Sequence, residues 1–190
     1  MDRKKKIGLV VEGGGMKCAY NAGILDGFLD HGILFDYCIG VSGGAGNAAS
    51  YVAGQRGRNI RFFTEHIHSP KYFGIRSLLA TGNLFGLQYI YGELTNSGGK
   101  DPLDFAAIMK SPAEYEVVAT NALTGEARYF GKEEMKQDDY RPIMASNAIP
   151  AACRPVVIDG VPYYDGGIAD AIPVRHALEK GAEVKSLFPL

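Results

Sequence analysis

The sequence Tyr37-Cys-Ile-Gly-Val-Ser-Gly-Gly44 joins a short apolar run to a pair of glycines, and small residues dominate the ten positions that follow, 45–54. An apolar run without alternation is typical of a strand buried on both faces, and small residues would let a helix pack close to the sheet. The run at 7–11 is of the same kind and ends in Gly13-Gly-Gly15. Strand–glycine–helix units that recur along a chain indicate an α/β domain with a largely parallel sheet.

The remaining periodicity and turn signals support the same architecture. They predict a helix over 16–29, strands at 115–120 and 127–130, a hairpin over 156–164 that turns at Asp159-Gly160, and a helix from Pro173 to Glu179. We therefore expect one three-layer α/β/α domain over residues 1–190, with a mostly parallel central sheet.

Charge and cysteine content exclude several functional classes. The chain has 20 basic and 21 acidic residues, so no basic field is present to attract nucleic acid. Three cysteines without a C-x-x-C pair argue against a disulfide framework and a thiolate zinc site, and we expect no metal or cofactor. The basic start is followed by an apolar run that stops at Glu12, which is too short for a secretory signal. We expect a cytoplasmic protein, with peripheral membrane contact as an addition.

The pattern Gly40-Val-Ser-Gly-Gly44 is a G-x-S-x-G sequence between a predicted strand and a predicted helix. That context is the one a nucleophile elbow requires, because the turn at the serine leaves no room for side chains on either side. Ser42 would then lie in strained backbone at a helix N-terminus, whose dipole favours an alkoxide. A glycine-rich turn in which the serine only caps the helix stays open as an alternative.

The sequence Glu12-Gly-Gly-Gly-Met-Lys17 lies at the first strand–helix turn. Its glycines can turn backbone N–H groups inward as an anion-binding nest, and Lys17 adds a positive charge. Such a nest serves either as a phosphate cradle or as an oxyanion hole. Cys18 occupies the place of the last glycine in a dinucleotide fingerprint, and no Walker lysine follows. A nucleotide- or phosphate-binding module is therefore the alternative to acyl transfer.

A serine nucleophile needs a base. Three of the four histidines fall at predicted helix ends, where we expect solvent-facing caps: His31, His66 and His68. His176 follows Asp165 in the Ser-Asp-His order of α/β-hydrolases, but we expect it to be exposed on the last helix. Asp165, in Tyr163-Tyr-Asp-Gly-Gly167, is the stronger candidate, because a tight loop with an apolar wall would raise its pKa. An ordinary turn aspartate is the alternative.

Four motifs in a fixed order give the chain a family resemblance. They are Gly13-Gly-Gly-Met-Lys17, Gly40-Val-Ser-Gly-Gly44, Ala145-Ser-Asn-Ala-Ile-Pro150 and Asp165-Gly-Gly167. Together they resemble the bacterial patatin-like phospholipases, serine hydrolases that use a Ser–Asp dyad. Each motif is weak alone, but the ordered set is specific and spans nearly the whole chain.

The resemblance implies a role for each matched residue. Ser42 would attack an ester carbonyl, and Asp165 would accept its proton and later activate water against an acyl-enzyme. The oxyanion hole would be formed by Gly13, Gly14, Gly15, Met16 and Lys17, with the N–H groups of the middle three as donors and the lysine where the family often has arginine. Elbow and loop would be supported by Gly40, Gly44, Gly166 and Gly167. We expect 145–150 to position the Asp165 loop, with a catalytic duty for Ser146 or Asn147 as the weaker hypothesis.

The implied activity is that of a lipid acyl hydrolase of the phospholipase A or carboxylesterase type. Its substrate would be a phospholipid or other acyl ester, reached by transient contact with a membrane surface. Residues 71–99, rich in aromatic and aliphatic side chains and punctuated by glycines, are either a core helix with a loop or a mobile flap over the substrate.

The C-terminal sequence Gly181-Ala-Glu-Val-Lys-Ser-Leu-Phe-Pro-Leu190 begins like the turn and strand that follow a helix. Family members generally continue with another strand and further helices. Two alternatives stay open: a minimal domain with a short strand, or a chain truncated at this end and catalytically impaired. The second would expose a sheet edge and favour self-association. The sequence predicts no particular oligomeric state.

Overall fold

The structure is a computed structural model and describes residues 5–187, with side chains as far as residue 184. Residues 1–4 and 188–190 lie outside the described residues, and so do the first part of the basic start and the end of the predicted C-terminal strand segment.

The described residues form one sheet of seven strands and seven α-helices. The strands are β1 (Lys6–Val11), β2 (Tyr37–Val41), β3 (Glu114–Asn121), β4 (Ala127–Gly131), β5 (Val156–Ile158), β6 (Val161–Asp165) and β7 (Ala182–Leu187). The helices are α1 (Cys18–Asp30), α2 (Gly43–Val52), α3 (Arg58–Thr64), α4 (Ile75–Thr81), α5 (Phe105–Lys110), α6 (Arg141–Ser146) and α7 (Val174–Glu179). None of the helices in this part of the chain is long and apolar enough to cross a membrane.

The sheet has a parallel centre and an antiparallel end. Its strand order is β5-β6-β3-β2-β1-β7, and β4 pairs with β3 outside this path. The strands β7, β1, β2 and β3 are parallel to one another, whereas β4 and β6 pair antiparallel with β3, and β5 pairs antiparallel with β6. The predicted α/β class with a mostly parallel central sheet is confirmed, and the antiparallel strands come from the two hairpins.

The register of β3 brings the ends of two other strands together. Val118 pairs with Val41, the last residue of β2, and the next residue, Ala119, pairs with Asp165, the last residue of β6. Since β4 pairs with both of these β3 residues as well, β2 and β6 must share the opposite side of β3. The residue after β2, which is Ser42, therefore lies beside Asp165.

Helices cover both faces of the sheet, as the three-layer prediction required. One face packs against α1, α2, α5 and α6, and its core includes Leu9, Leu25, Tyr115, Val117 and Ile143. The other face packs against α7, with Tyr37, Ile39 and Val118 beneath Ala177. Helix α2 buries seven of its ten residues, mostly glycine and alanine, which is how it approaches β2 closely.

The predicted turns and the last strand are also present. Asp159 and Gly160 both have positive φ, of 50° and 82°, as a type I′ hairpin turn requires. The predicted first helix begins with a 3₁₀ turn, Gly15–Lys17, before α1. Strand β7 pairs in parallel with β1 from Lys6 to Val11, so the strand expected after Gly181 runs beside the whole of β1.

Candidate active site

Ser42 lies in the sharp turn between β2 and α2. Its backbone has φ 53° and ψ −132°, a strained conformation for a residue with a side chain. A Cβ on Gly40 would lie 2.5 Å from the Cα of Ala45, and one on Gly44 would overlap the carbonyl oxygen of Val11. Glycine is therefore required on both sides of the serine. The turn has the geometry predicted for a nucleophile elbow.

Three consecutive residues at the end of α6 hold the backbone around Ser42 and Asp165. The N–H of Ser42 donates to Ser146 Oγ at 2.7 Å, and Asn147 Nδ2 donates to the Ser42 carbonyl at 3.0 Å. The N–H of Asp165 donates to the Ala148 carbonyl at 2.9 Å. We expected this segment to position the Asp165 loop. Its contact with the serine was missed, because the partners are more than 100 residues apart in sequence.

Asp165 ends β6 and caps the 3₁₀ turn Gly166–Ile168. Its Oδ1 accepts the N–H of Gly167 at 2.8 Å, and its carbonyl accepts the Thr120 hydroxyl at 2.8 Å. A Cβ on Gly166 would overlap the Val118 carbonyl, so the chain can pass this close to β3 only with glycine there. The sequence Asp-Gly-Gly thus fixes the carboxyl group at the end of β6, beside the end of β2.

Asp165 is 8% exposed, and it lines the same small cavity as Ser42 and Gly13. Burial raises the pKa of Asp165 above its ordinary value, as predicted from its apolar surroundings. The Gly167 N–H and the Ser42 hydroxyl act against this rise, because donors beside the carboxylate favour its ionised form. A buried carboxylate with only neutral donors around it is a basic group next to a serine hydroxyl.

The glycine loop after β1 lies beside the same serine. A Cβ on Gly13 would lie 2.6 Å from Ser42 Cβ. Gly14 and Gly15 both have positive φ, of 144° and 57°, which favours glycine. Within residues 5–187, no acceptor satisfies the N–H groups of these three glycines. The loop therefore offers backbone donors to an anion close to the Ser42 hydroxyl.

The residues after the glycines have different surroundings. Met16 is exposed and borders the cavity beside Ser42, while the ammonium of Lys17 is at the surface. Cys18 is fully buried, and burial raises the pKa of its thiol to about 12, so it stays protonated and unreactive. A Cβ on Gly43 would lie 2.8 Å from its Sγ. Cys18 is thus a packing residue where α1 meets α2.

A cavity of about 190 Å³ opens beside Ser42. Most of its wall is aromatic or aliphatic and comes from α3 and from residues 72–91, including Phe62, Tyr72, Phe85, Leu87, Ile90 and Tyr91. The undecided segment 71–99 therefore forms a wall of the cavity, with buried residues in and near the π-helical turn Tyr89–Leu94. Helix α4, in the same segment, is mostly exposed.

Two of the four histidine predictions are wrong. His66 is not a solvated cap: its Nε2 lies 2.9 Å from Asp101 Oδ2, and its side chain is mostly buried. His176 is not exposed, because its Nε2 lies 2.7 Å from Glu116 Oε2 and its ring stacks on Tyr129. His31 and His68 are exposed, as predicted. In the described part of the chain no histidine hydrogen-bonds Ser42 or Asp165.

The sequence analysis also missed a buried charged cluster behind the cavity. Asp101 binds the Arg61 guanidinium at 2.7 Å through both carboxylate oxygens, and its carbonyl accepts a hydrogen bond from Arg58. Burial acts to raise the pKa of Asp101, but the hydrogen bonds from Arg61 and His66 bring it below its ordinary value. The cluster fixes α3, which carries Arg58 and Phe62 to the cavity wall.

Comparisons with known proteins show the family of the chain and a likeness of fold. The family described as patatin-like phospholipase matches residues 9–178. The Escherichia coli (strain K12) protein YjjU, described as uncharacterized, is 31% identical over 94% of this chain and 50% of its own length. The crystal structure of VipD from Legionella pneumophila matches 87% of this chain and 46% of its own, with a TM-score of 0.59 at 15% identity, a likeness of fold alone. The chain spans about half the length of each of these two proteins.

Proposed function

Because the chain belongs to the patatin-like phospholipase family, a family of lipid acyl hydrolases, we propose that it cleaves acyl esters with Ser42 as nucleophile and Asp165 as general base. The observation that carries this proposal is that a serine in strained backbone and a buried carboxylate line the same small cavity. Unpaired backbone donors and an apolar cavity adjoin the same serine. Each of these features supports acyl transfer through a serine.

In the acylation half-reaction, Ser42 Oγ attacks the ester carbonyl while its proton passes to the Asp165 carboxylate. The carbonyl oxygen becomes an oxyanion within reach of the N–H groups of Gly14, Gly15 and Met16, of which the two glycine N–H groups have no acceptor within residues 5–187. One such donor is typically worth about 100- to 1000-fold in kcat. When the tetrahedral intermediate collapses, the ester C–O bond breaks and Asp165 returns the proton to the leaving alcohol.

In the deacylation half-reaction, Asp165 takes a proton from a water molecule that attacks the acyl-enzyme. The second tetrahedral intermediate uses the same backbone donors, and Ser42 leaves with the proton that Asp165 returns. A raised pKa suits this double role, because a base whose pKa lies nearer to the working pH transfers protons in both directions more readily.

The cavity supports a fatty acyl chain as the group that is transferred. Its wall is mostly aromatic and aliphatic and begins at Ser42, so the acyl chain of a bound ester would extend from the serine into apolar surroundings. A phospholipid or an acylglycerol supplies such a chain. We propose a phospholipase A or carboxylesterase activity on these lipids, with transient contact to their surface.

The test is covalent labelling with a fluorophosphonate, followed by intact-mass analysis and peptide mapping. We expect one adduct, on Ser42, and we expect Ser42→Ala to lose both the adduct and the turnover of p-nitrophenyl butyrate. Ser111→Ala is the matched control, because Ser111 precedes β3 whereas Ser42 follows the parallel strand β2, so the two serines lie at opposite ends of these strands. This control should label and turn over as the wild type does.

Two results would contradict the proposal. The first is an adduct on another serine, or turnover that persists in Ser42→Ala. The second is thermal stabilisation by dinucleotides without any fluorophosphonate labelling, which would favour the nucleotide-binding alternative for the glycine loop.

A further inference from the structure

Helix α4 turns its apolar side to solvent. Ile75, Leu78 and Leu79 have the i, i+3, i+4 spacing of one helix face, and Ile75 and Leu79 are 73% and 83% exposed. Ser77, at 3% exposure, is the buried residue of this helix. A helix of a soluble domain normally has the reverse arrangement, with its apolar stripe on the core. Exposed apolar side chains grouped in this way mark an interaction surface.

This apolar surface continues to the mouth of the cavity. Phe73 precedes α4 and is half exposed, and its ring lies 4.9 Å from the ring of Phe85. Phe85 and Tyr72 line the cavity that contains Ser42. We call the exposed residues Phe73, Ile75, Leu78 and Leu79 the α4 surface. An apolar molecule on the α4 surface would therefore be adjacent to the entrance of the candidate active site.

The charged residues on α4 and at its C-terminal end are basic. Between Glu65 and Glu93 the sequence contains no acidic residue. Arg76 lies exposed on α4, and the guanidinium of Arg154 packs against Gly82 at the end of the helix. Lys71, two residues before Phe73, forms an ion pair with Glu93. Cations at the rim of an apolar surface complement the phosphate groups of an anionic bilayer.

We propose that the α4 surface docks on an anionic phospholipid bilayer and so places the cavity entrance at the lipid. This inference rests on the proposed function and names the surface by which it meets its substrate. The apolar side chains would enter the acyl boundary while Arg76 and Arg154 face the phosphates. A second copy of the chain is the poorer occupant, because the same arginines would then face each other across a symmetric contact.

The test is flotation with vesicles of diether phosphatidylcholine mixed with diether phosphatidylglycerol, which contain no acyl ester to hydrolyse. We expect the wild type to float, and we expect Leu79→Glu and Ile75→Glu each to lower the partition coefficient at least tenfold. Arg76→Gln should lower it about fivefold, the equivalent of about 1 kcal/mol for one cation near an anionic surface. Pure phosphatidylcholine vesicles should bind less than the mixed vesicles.

The matched control is Leu34→Glu. Leu34 is similarly exposed, but it precedes β2 and so lies at the opposite end of that strand from Ser42. This control should float as the wild type does. Leu79→Glu should still hydrolyse soluble p-nitrophenyl butyrate, because Leu79 is outside the cavity wall. Turnover of the soluble ester thus tests the catalytic proposal, and flotation tests the α4 surface.

Three outcomes would overturn the inference while leaving the proposed function intact. In the first, the wild type hydrolyses the soluble ester but does not float with the vesicles. In the second, Leu79→Glu and Ile75→Glu float to the same extent as the wild type. In the third, both variants only convert a dimer to a monomer in size-exclusion chromatography with light scattering, without a change in flotation. The third result would make a second copy the occupant of this face.

Discussion

Asp165 and Glu116 belong to the same sheet and have the same exposure, 8% each, but their pKa values are shifted in opposite directions. Around Asp165 the hydrogen-bond donors are a backbone N–H and a serine hydroxyl, both neutral, and the pKa is raised by burial. Glu116 is surrounded by Lys180, His176 and the Tyr37 hydroxyl, at 2.6 to 2.7 Å. Burial acts to raise its pKa too, yet these three hydrogen bonds bring it below the ordinary value.

The difference teaches that partners, and not burial alone, decide whether a buried carboxylate is reactive or structural. Charged donors stabilise the ionised form of a carboxylate and so lower its pKa. At Glu116 these donors also attach α7 to the sheet. Neutral donors leave the carboxylate less stable than in water and therefore ready to accept a proton. The neutral partners of Asp165 fit its proposed role in proton transfer, whereas the charged partners of Glu116 fit a structural role.

The largest effect that separates the two regions is expected for activity. Asp165→Asn keeps the shape of the side chain but removes the base, and we expect kcat/KM for p-nitrophenyl butyrate to fall about 1000-fold. In the wild type, activity should be lost as the pH falls through the pKa of Asp165, at a higher pH than for an ordinary aspartate, because the carboxylate must be ionised. Glu116→Gln should stay within about twofold of the wild type.

Two results would break this comparison. A kcat/KM of Asp165→Asn within tenfold of the wild-type value would exclude Asp165 as the base. Alternatively, a 1000-fold loss in His176→Ala would restore a triad in which the histidine takes the proton, despite its observed contacts with Glu116 and Tyr129.

The next effect is on stability and belongs to Glu116. Glu116→Gln should lower the free energy of unfolding at pH 7 by about 2 kcal/mol, because hydrogen bonds to a charged group are lost under α7. Since the folded-state pKa of Glu116 is below the ordinary value, its contribution is present above that ordinary value and is lost as the pH falls through the folded pKa. Urea unfolding at several pH values checks both points. An equal difference between the two chains at neutral and acid pH would contradict this account.

The features of the site that depend on neighbouring residues could be predicted from the sequence. The glycines around Ser42 are a steric requirement of one turn, and the Asp-Gly-Gly sequence at Asp165 is a requirement of one loop. The parallel strands β1 and β2 could also be predicted from the sequence, because a strand buried on both faces has an unbroken run of apolar residues. Local sterics and local burial leave a local signal.

Contacts between distant segments left little or no signal. The bond between Ser42 and Ser146 spans 104 residues, and nothing near either serine announces the other. The Glu116 cluster could have been found, because an acid inside an apolar strand needs a cation, and His176 and Lys180 share one face of the last helix. Helix α4 shows a different limit, since its apolar periodicity is the same whether that face is buried or exposed.

The smallest expected effect is also on stability. Substitution of Asp165 should stabilise the folded chain, whereas substitution of Glu116 should destabilise it. The folded-state pKa of Asp165 lies above the ordinary value, so the folded chain loses stability as the pH rises from that ordinary value through the folded pKa. Asp165→Asn removes this cost, because the amide can still accept the Gly167 N–H and can donate to Ser42. We expect its Tm at pH 7 to exceed that of the wild type by a few degrees, the shift of about 1 kcal/mol in a domain of this size. Calorimetry at descending pH should show this advantage shrinking as the wild-type carboxyl group takes up its proton. If Asp165→Asn is inactive but its Tm at pH 7 is unchanged or lower, the ionised Asp165 does not destabilise the folded chain. Asp165 and Glu116 would then differ in their roles but not in the sign of their effect on stability.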